Sequence, residues 1–201
     1  MHNRYYIIDD FYGNPDDLVS AAIDSLNGNV LRGNFSGVMT SQTYLSGTQQ
    51  KFFKGLLNEP SIDSSTELNG KIRFSKQGDS FVQHIHFDGG LKTNWSGVIY
   101  LSKDHPNVDG TVFWKHKRTG LEEMPRSVEG LAKYGWRSND DIRRFLETDG
   151  VDQSKWEKTL SVPYKYNRMV LFRPWLFHSP GDAFGDSIHT SRIVQTLFLG
   201  H

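Results

Sequence analysis

Two histidines and an aspartate alternate in the segment "QHIHFDGG" at 83–90, as His84, His86 and Asp88. Side chains two residues apart on a strand point to the same face, so these three groups share one face. A ferrous non-haem site takes two histidines and one carboxylate on one triangular face. His86 and Asp88 could supply two such ligands, and the third must come from elsewhere. By itself the pattern favours a solvated strand end over a metal site, because one chance His-x-Asp pair is unremarkable in a chain with eight histidines.

The third ligand is sought among the downstream histidines, since a chain without cysteine can hold a metal only through nitrogen and oxygen. His178 is the strongest candidate because it ends "VLFRPWLFH", the most apolar segment of the chain, at the edge of a loop. Taken alone, His178 fits a core histidine with satisfied hydrogen bonds equally well. His116 is disfavoured by its two neighbouring lysines, and the others lie in a turn, in a polar loop and at the terminus: His105, His189 and His201.

Arg192 is the only charged residue in the last apolar strand, "RIVQTLFL". It shares a face with Val194 and Thr196, and a buried arginine on such a face needs an anionic partner. The guanidinium fork suits a carboxylate bound through both oxygens. Two interpretations remain: a structural ion pair with Asp182 or Asp186, and a docking site for a dicarboxylate co-substrate.

The elements that must position these residues are mostly short strands rich in β-branched and aromatic residues. They run from residue 71 and return at the end of the chain, separated by Gly, Asp, Asn and Pro. The segments are "KIRFSKQ", "SFVQHIHF", "WSGVIYLS", "GTVFWKHK", "NRMVLFR", "WLFH" and "TSRIVQTLFL". This pattern predicts a mainly β fold, an all-β barrel or jelly roll with flanking helices packed outside.

A single domain spanning 1–201 is expected from the length. Strand 4–9 is followed by a helix that Asn14 can cap and Gly28 can end, and apolar spacing predicts a second helix at 49–59. A capped helix at 138–150 interrupts the later strands and is interpreted as part of a lid over the barrel mouth. The predicted parts are a strand and supporting helices at 1–60, jelly-roll strands at 71–117 and 166–199, and a helical insertion at 118–165.

The order of His-x-Asp, distal His and Arg on the next strand resembles the Fe(II)/2-oxoglutarate-dependent dioxygenases, over most of the chain from about 71 to 199. "SGVIYLSKDHPNVDGTVFW" and "NRMVLFRPWLFHSPGDAFG" look like the matching stretches of the prolyl-hydroxylase-like branch. The front, "YYIIDDFYGNPDDLVSAA", is similar to the opening strand and helix of such enzymes. The resemblance implies a double-stranded β-helix, and it points to a small bacterial or phage subgroup whose substrates are mostly unassigned.

Residue by residue, the resemblance implies that His86, Asp88 and His178 bind Fe(II). It implies that Arg192 and Tyr100 bind the distal carboxylate of 2-oxoglutarate, with O2 as the second co-substrate, although Tyr100 could also be an ordinary packing aromatic. Candidates to face the substrate are His84, Trp114 and Trp175.

Two departures from the family pattern leave the ligands in place. The Gly-Gly of the family is Asp109-Gly110 here, and the insertion lengthens the gap between Asp88 and His178. The presence of Asp88 favours hydroxylation over halogenation, since related halogenases carry a small residue there.

Three alternative functions remain. A cupin-type metal enzyme without 2-oxoglutarate would use His84 and His86, but no glutamate follows at the spacing of that motif, so His84 is interpreted as a pocket residue. A nucleic-acid demethylase of the same superfamily typically has two arginines six apart after the distal histidine, and none follows Arg192. The third is a catalytically inactive jelly-roll binding module.

Composition and charge narrow the classes of partner that this protein is expected to bind. The formal net charge is zero, which argues against a protein that grips nucleic acid mainly through phosphates. No apolar run approaches the roughly 18 residues of a membrane span, and the N-terminal apolar run is too short for a signal peptide. We expect a soluble, cytoplasmic enzyme that acts on a small molecule, an amino acid or a peptide.

Overall fold

The computed structural model describes residues 3–27, 30–33, 35–62, 68–79, 85–89 and 93–200. The strands are β1 (Tyr5–Ile8), β2 (Val30–Gly33), β3 (Phe35–Thr40), β4 (Ile72–Ser75), β5 (Thr93–Tyr100), β6 (Asp109–His116), β7 (Trp156–Pro163), β8 (Met169–Phe172), β9 (His178–Pro180) and β10 (Arg192–Gly200). The helices are α1 (Pro15–Ser25), α2 (Gly47–Leu57), α3 (Val128–Ala132) and α4 (Asn139–Thr148), and a 3-10 turn covers Gln153–Lys155.

The strands form two antiparallel sheets. The larger has the order β1-β8-β5-β10-β4-β3-β2, and the smaller has the order β7-β6-β9. An isolated bridge between His86 and His178 adds the segment 85–89 to the free edge of β9. The predicted mainly β fold is confirmed.

Alternation along β10 separates the two faces of the large sheet. Ile193, Leu197 and Leu199 are buried in the main core, together with residues of α1 and α2 such as Ala22 and Phe53. The intervening residues of the strand point to the opposite face, because neighbouring side chains alternate. The helices therefore cover one face, and the other is left to the small sheet and the polar residues of the site.

The segment 118–165 differs from the predicted helical insertion. It contains α3 and α4, but its last part is β7, which pairs with β6 along its length. Sequence reasoning missed β7 because "WEKTLSVP" places polar residues on both faces and lacks the apolar texture of the other strands. Phe145 of α4 packs with Trp156 and Phe177 in a third core cluster behind the small sheet.

The capped helix predicted at 138–150 is confirmed as α4, and the helix predicted at 49–59 is found two residues earlier as α2. Ser46 and Gln49 form a capping box at α2, and Ser138 and Asp141 form one at α4. The predicted cap of α1 is wrong, because the Asn14 side chain donates to the Asp17 carboxylate and leaves the backbone uncapped. Gly28, predicted to end α1, lies outside the described residues. None of the helices in the described part of the chain is long and apolar enough to cross a membrane.

A pair of glycine substitutions tests the close packing of the large sheet. Gly97 of β5 lies between Leu171 and Leu197, and a Cβ there would lie 2.3 Å from the Val170 carbonyl oxygen. We expect Gly97→Ala to lower the free energy of unfolding by about 1–3 kcal/mol, as overpacking does. Gly55 of α2 has no atom near that position, so Gly55→Ala should raise it by about 0.5–1 kcal/mol. Urea denaturation measures both, and equal stability of the two variants would contradict this packing.

Candidate metal centre

His86, Asp88 and His178 form a group that could hold a metal ion. One ligand atom from each residue lies within 4.8 Å of the others. The two imidazole Nε2 atoms lie 3.5 Å and 3.4 Å from the two carboxylate oxygens, for His86 and His178 respectively. The structure therefore brings together the three residues that the sequence singled out from segments about ninety positions apart. Two imidazoles and one carboxylate suit several divalent transition metals.

Backbone pairing places the two histidines side by side. The amide of His86 donates to the His178 carbonyl at 3.0 Å, and the amide of His178 returns a bond of 2.8 Å. The Asp88 amide donates to the Pro174 carbonyl at 2.7 Å, which fixes the carboxylate end of the segment. His178 Nδ1 lies 2.9 Å from the Leu176 carbonyl oxygen. Because a carbonyl only accepts, Nδ1 carries the proton and Nε2 is left free to bind a metal.

The insertion supports the same segment from behind. The amide of Ile85 donates to the Gly150 carbonyl at 2.8 Å, directly after α4. A Cβ on Gly150 would lie 2.6 Å from the Ile85 carbonyl oxygen, so only glycine permits this approach. The helical insertion is thus tied to the residue next to His86.

The carboxylate of Asp88 is ionised in this setting. Burial alone would raise its pKa, but the charges and hydrogen bonds of His178 and His86 hold the pKa of Asp88 well below its usual range. An ionised carboxylate between two imidazoles is the state in which this group binds a cation.

Arg192 is buried on the face of β10 that looks towards the small sheet. Its Nη2 donates to the Gly110 carbonyl at 2.8 Å, and its guanidinium lies 5.6 Å from the ring centre of Tyr164 and 5.9 Å from that of Tyr100. Its Nε is buried without a hydrogen-bond partner. Neither alternative ion pair, with Asp182 or with Asp186, is found among the described residues. Arg192 therefore has donor capacity that no carboxylate in the described part of the chain uses.

A cavity of about 1110 Å³ joins these groups. The triad, Arg192 and the predicted substrate residue Trp175 are among the described residues that line it. Tyr100 lies behind the lining residue Thr111, to which its hydroxyl is hydrogen-bonded at 2.7 Å. His84 lies outside the described residues.

The structure places the predicted substrate residue Trp114 away from the cavity. Trp114 is buried in the cluster behind the small sheet, and its Nε1 donates to the Ser179 hydroxyl at 2.9 Å. Trp114 was proposed for its residue type and not for its facing. Val112 and Trp114 belong to the cluster behind the small sheet and Phe113 belongs to another cluster, as regular alternation along β6 requires.

Sequence reasoning missed two charged groups. Arg73 of β4 is opposite Val194 of β10 and so shares the face of Arg192, and it also lines the cavity. The signal was available, since Arg73 stands between Ile72 and Phe74 as Arg192 stands in its own apolar strand. The second group is His116 with Asp149.

His116 is buried and forms a structural pair with Asp149. Its Nε2 lies 3.2 Å from the Asp149 carboxylate, and its Nδ1 lies 2.9 Å from the Thr119 hydroxyl. Lys155 contacts the same carboxylate at 2.6 Å. Because Asp149 precedes Gly150, this network holds the part of the insertion that supports Ile85.

A model of a family of unknown function, DUF6445, matches residues 1–182 of the chain. The chain therefore belongs to this family. No curated protein matches it.

Removal of any triad residue should weaken metal binding. We expect His86→Ala, Asp88→Ala and His178→Ala each to lower the affinity for Co(II) by ~100-fold or more, because a lost ligand matters at least as much as a lost outer-shell partner. The d–d absorption of Co(II) reports binding, and a metal-induced rise in Tm provides a second measure. His189→Ala, an exposed histidine outside the group, is the matched control. Unchanged Co(II) affinity in the three variants would refute the site.

The buried His116 predicts a pH dependence of stability. Burial lowers the pKa of His116 below its ordinary value, although the charge of Asp149 opposes this. The unfolded chain then takes up this proton at a higher pH than the folded chain, so stability falls as the pH drops through the unfolded value of about 6.5. We expect metal-free wild type to lose more free energy of unfolding than His116→Gln between about pH 7.5 and pH 5.5. Urea denaturation at the two pH values measures this loss, and an equal loss in the two proteins would contradict the assignment.

Proposed function

We propose that this member of the DUF6445 family is an Fe(II)/2-oxoglutarate-dependent dioxygenase that hydroxylates a small-molecule, amino-acid or peptide substrate. The observation that carries the proposal is one cavity lined both by the His86–Asp88–His178 group and by Arg192. The donor set fits ferrous iron and leaves coordination positions for a chelating co-substrate and dioxygen. The unpartnered Nε of Arg192 fits the distal carboxylate of that co-substrate.

The path of the chain between the sheets supports the double-stranded β-helix that such enzymes have. From β4 in the large sheet the chain passes to the His86 segment beside the small sheet, and then to β5 in the large sheet. It continues through β6 and β7 in the small sheet, β8 in the large, β9 in the small and β10 in the large. This repeated exchange between two antiparallel sheets is what winding a jelly roll requires. We infer that the cavity lies between the sheets as it does in that fold.

Each residue has a separate role in the proposed reaction. His86, Asp88 and His178 hold the metal, and Arg192 orients 2-oxoglutarate from the far end of the cavity. Iron and 2-oxoglutarate supply the oxidising chemistry when bound, consuming O2 and releasing succinate and CO2. The apolar lining limits water at the reacting atoms.

In this proposal Tyr100 contacts Arg192 and Thr111 and does not bind the co-substrate directly. Its hydroxyl is hydrogen-bonded to Thr111, and its ring faces the Arg192 guanidinium. Burial raises the pKa of Tyr100, so the phenol stays neutral. The hydroxyl of Thr111, which lines the cavity, is then the group that can reach the carboxylate beside Arg192.

The decisive experiment is anaerobic reconstitution with Fe(II) and 2-oxoglutarate, followed by air. We expect an absorption band that requires both iron and 2-oxoglutarate, and slow formation of succinate once oxygen is admitted. His86→Ala should abolish the band. Arg192→Met should weaken 2-oxoglutarate binding by ~10-fold or more through loss of a charge-assisted hydrogen bond. Arg144→Met, an exposed arginine of α4 outside the cavity lining, should leave the affinity unchanged.

The outcomes separate this proposal from its rivals. Iron binding without the 2-oxoglutarate-dependent band and without succinate would favour a cupin-type enzyme that has no use for Arg192. An Arg192→Met protein with unchanged 2-oxoglutarate affinity would refute the role given to this residue.

A further inference from the structure

A second arginine reaches the same cavity from the neighbouring strand. Arg73 of β4 is in register with Val194 of β10, so its side chain leaves the sheet on the face that carries Arg192. Arg73 is less deeply buried than Arg192, and both line the cavity. The proposed function gives Arg73 no task.

Arg73 has no anionic partner in the described part of the protein. Its Nε is buried without a hydrogen bond, and no carboxylate among the described residues lies within ion-pair distance. Its pKa is lowered to about 10 by burial and then by the charge of Arg192, with Asp88 acting in the opposite sense. At neutral pH the guanidinium is therefore charged, beside another cation and within the field of the metal-binding carboxylate.

Two other partly buried arginines, at the two ends of β8, are accounted for by the protein itself. Arg168 pairs with Asp9 at 2.6 Å, and Arg173 lies 3.7 Å from the ring centre of Trp95. Arg192 donates to the Gly110 carbonyl through Nη2, and its free Nε is the group that the proposed function gives to the co-substrate. Arg73 differs from all of them, and a buried charge without a partner is costly. Since no carboxylate of the described residues takes up this charge, we look for its partner among the ligands of the cavity.

The charge of the cavity indicates what kind of partner this is. Its described lining holds four arginines, namely Arg73, Arg126, Arg143 and Arg192, against the carboxylates of Asp88 and Glu147. Asp88 belongs to the metal group, and Arg143 and Glu147 are both exposed at the mouth. A bound dicarboxylate co-substrate would leave this region cationic once the metal is counted. The volume of about 1110 Å³ exceeds the roughly 300 Å³ of a small ligand pocket and leaves space for a second ligand.

We propose that Arg73 binds the carboxylate of the substrate, so that the cavity accepts an acidic small molecule beside 2-oxoglutarate. This inference rests on the proposed function and adds the chemical class of the substrate. Arg192, the deeper of the two and held by Gly110, stays with the co-substrate. Arg73, within the field of Asp88, holds the substrate acid near the metal. The exposed Arg126, 4.1 Å from the Trp175 ring centre, is placed to attract acids to the mouth.

A panel of matched acids and amides tests the proposal by binding. The protein is loaded with Zn(II), which has no redox chemistry, and saturated with 2-oxoglutarate. Acetate, butyrate, phenylacetate and indole-3-acetate are compared with their primary amides, which have the same shape and no charge, by calorimetry and ligand-observed NMR. We expect the best-bound acid to bind ~10-fold or more tighter than its amide. Arg73→Met should erase this preference, and Arg144→Met should retain it.

A stability measurement separates binding from a structural role. Removal of an unpartnered buried charge should leave the Tm of ligand-free Arg73→Met unchanged or higher. Arg168→Met, which breaks the pair with Asp9, should lower the Tm in the same assay. A clear loss of Tm in Arg73→Met would overturn the proposal in favour of a structural arginine.

Failure of this inference is distinguishable from failure of the proposed function. Wild type that does not bind 2-oxoglutarate refutes the dioxygenase proposal, and the panel is then repeated with Zn(II) alone to score the acid preference. Equal binding of acids and amides by wild type overturns the inference. Weaker 2-oxoglutarate binding in Arg73→Met also overturns it, since Arg73 would then serve the co-substrate. Tighter binding of phenyl phosphate than of any carboxylate overturns the carboxylate class.

Discussion

The site depends on one short antiparallel pairing, in which His86 and His178 exchange two backbone hydrogen bonds of 3.0 and 2.8 Å. A directly opposed pair on neighbouring strands points its side chains the same way, so this bridge brings two imidazoles together from distant parts of the chain. Asp88, two residues further on, then shares their face. A slip of one residue in this pairing would turn the side chains of 85–88 to the opposite face and leave His178 alone.

The pairing is held in place from three directions. β9 is fixed by β6 on one side, with Phe113 opposite His178. The Pro174 carbonyl holds the amide of Asp88, and Gly150 of the insertion holds that of Ile85. The metal ligands therefore rest on the sheet, on the loop before β9 and on the insertion together. Pre-ordering of this kind limits the rearrangement needed when a cation binds.

Most residues of the site could be predicted from the sequence, because a polar residue on an apolar strand is costly unless it has a structural or functional role. That rule singled out His178 and Arg192, while His86 and Asp88 came from their spacing. It applies equally to Arg73, which sequence reasoning passed over in the short "KIRFSKQ" segment. It did not place Trp114, which was named for its residue type, although alternation with Val112 and Phe113 along β6 gives its facing. It also missed β7, whose polar residues on both faces reflect a half-exposed strand paired on only one side.

The insertion supports the metal site, and this support limits which parts of the insertion can move as a lid. A rigid opening of α4 would break the Gly150–Ile85 hydrogen bond and withdraw Phe145 from its contacts with Trp156 and Phe177. Both changes would disturb the residue next to His86, so α4 belongs to the fixed wall of the cavity. By contrast, α3 buries none of its residues, and its Val128 is 79% exposed. Movement at the mouth is thus expected at α3 itself, where opening leaves the metal ligands undisturbed.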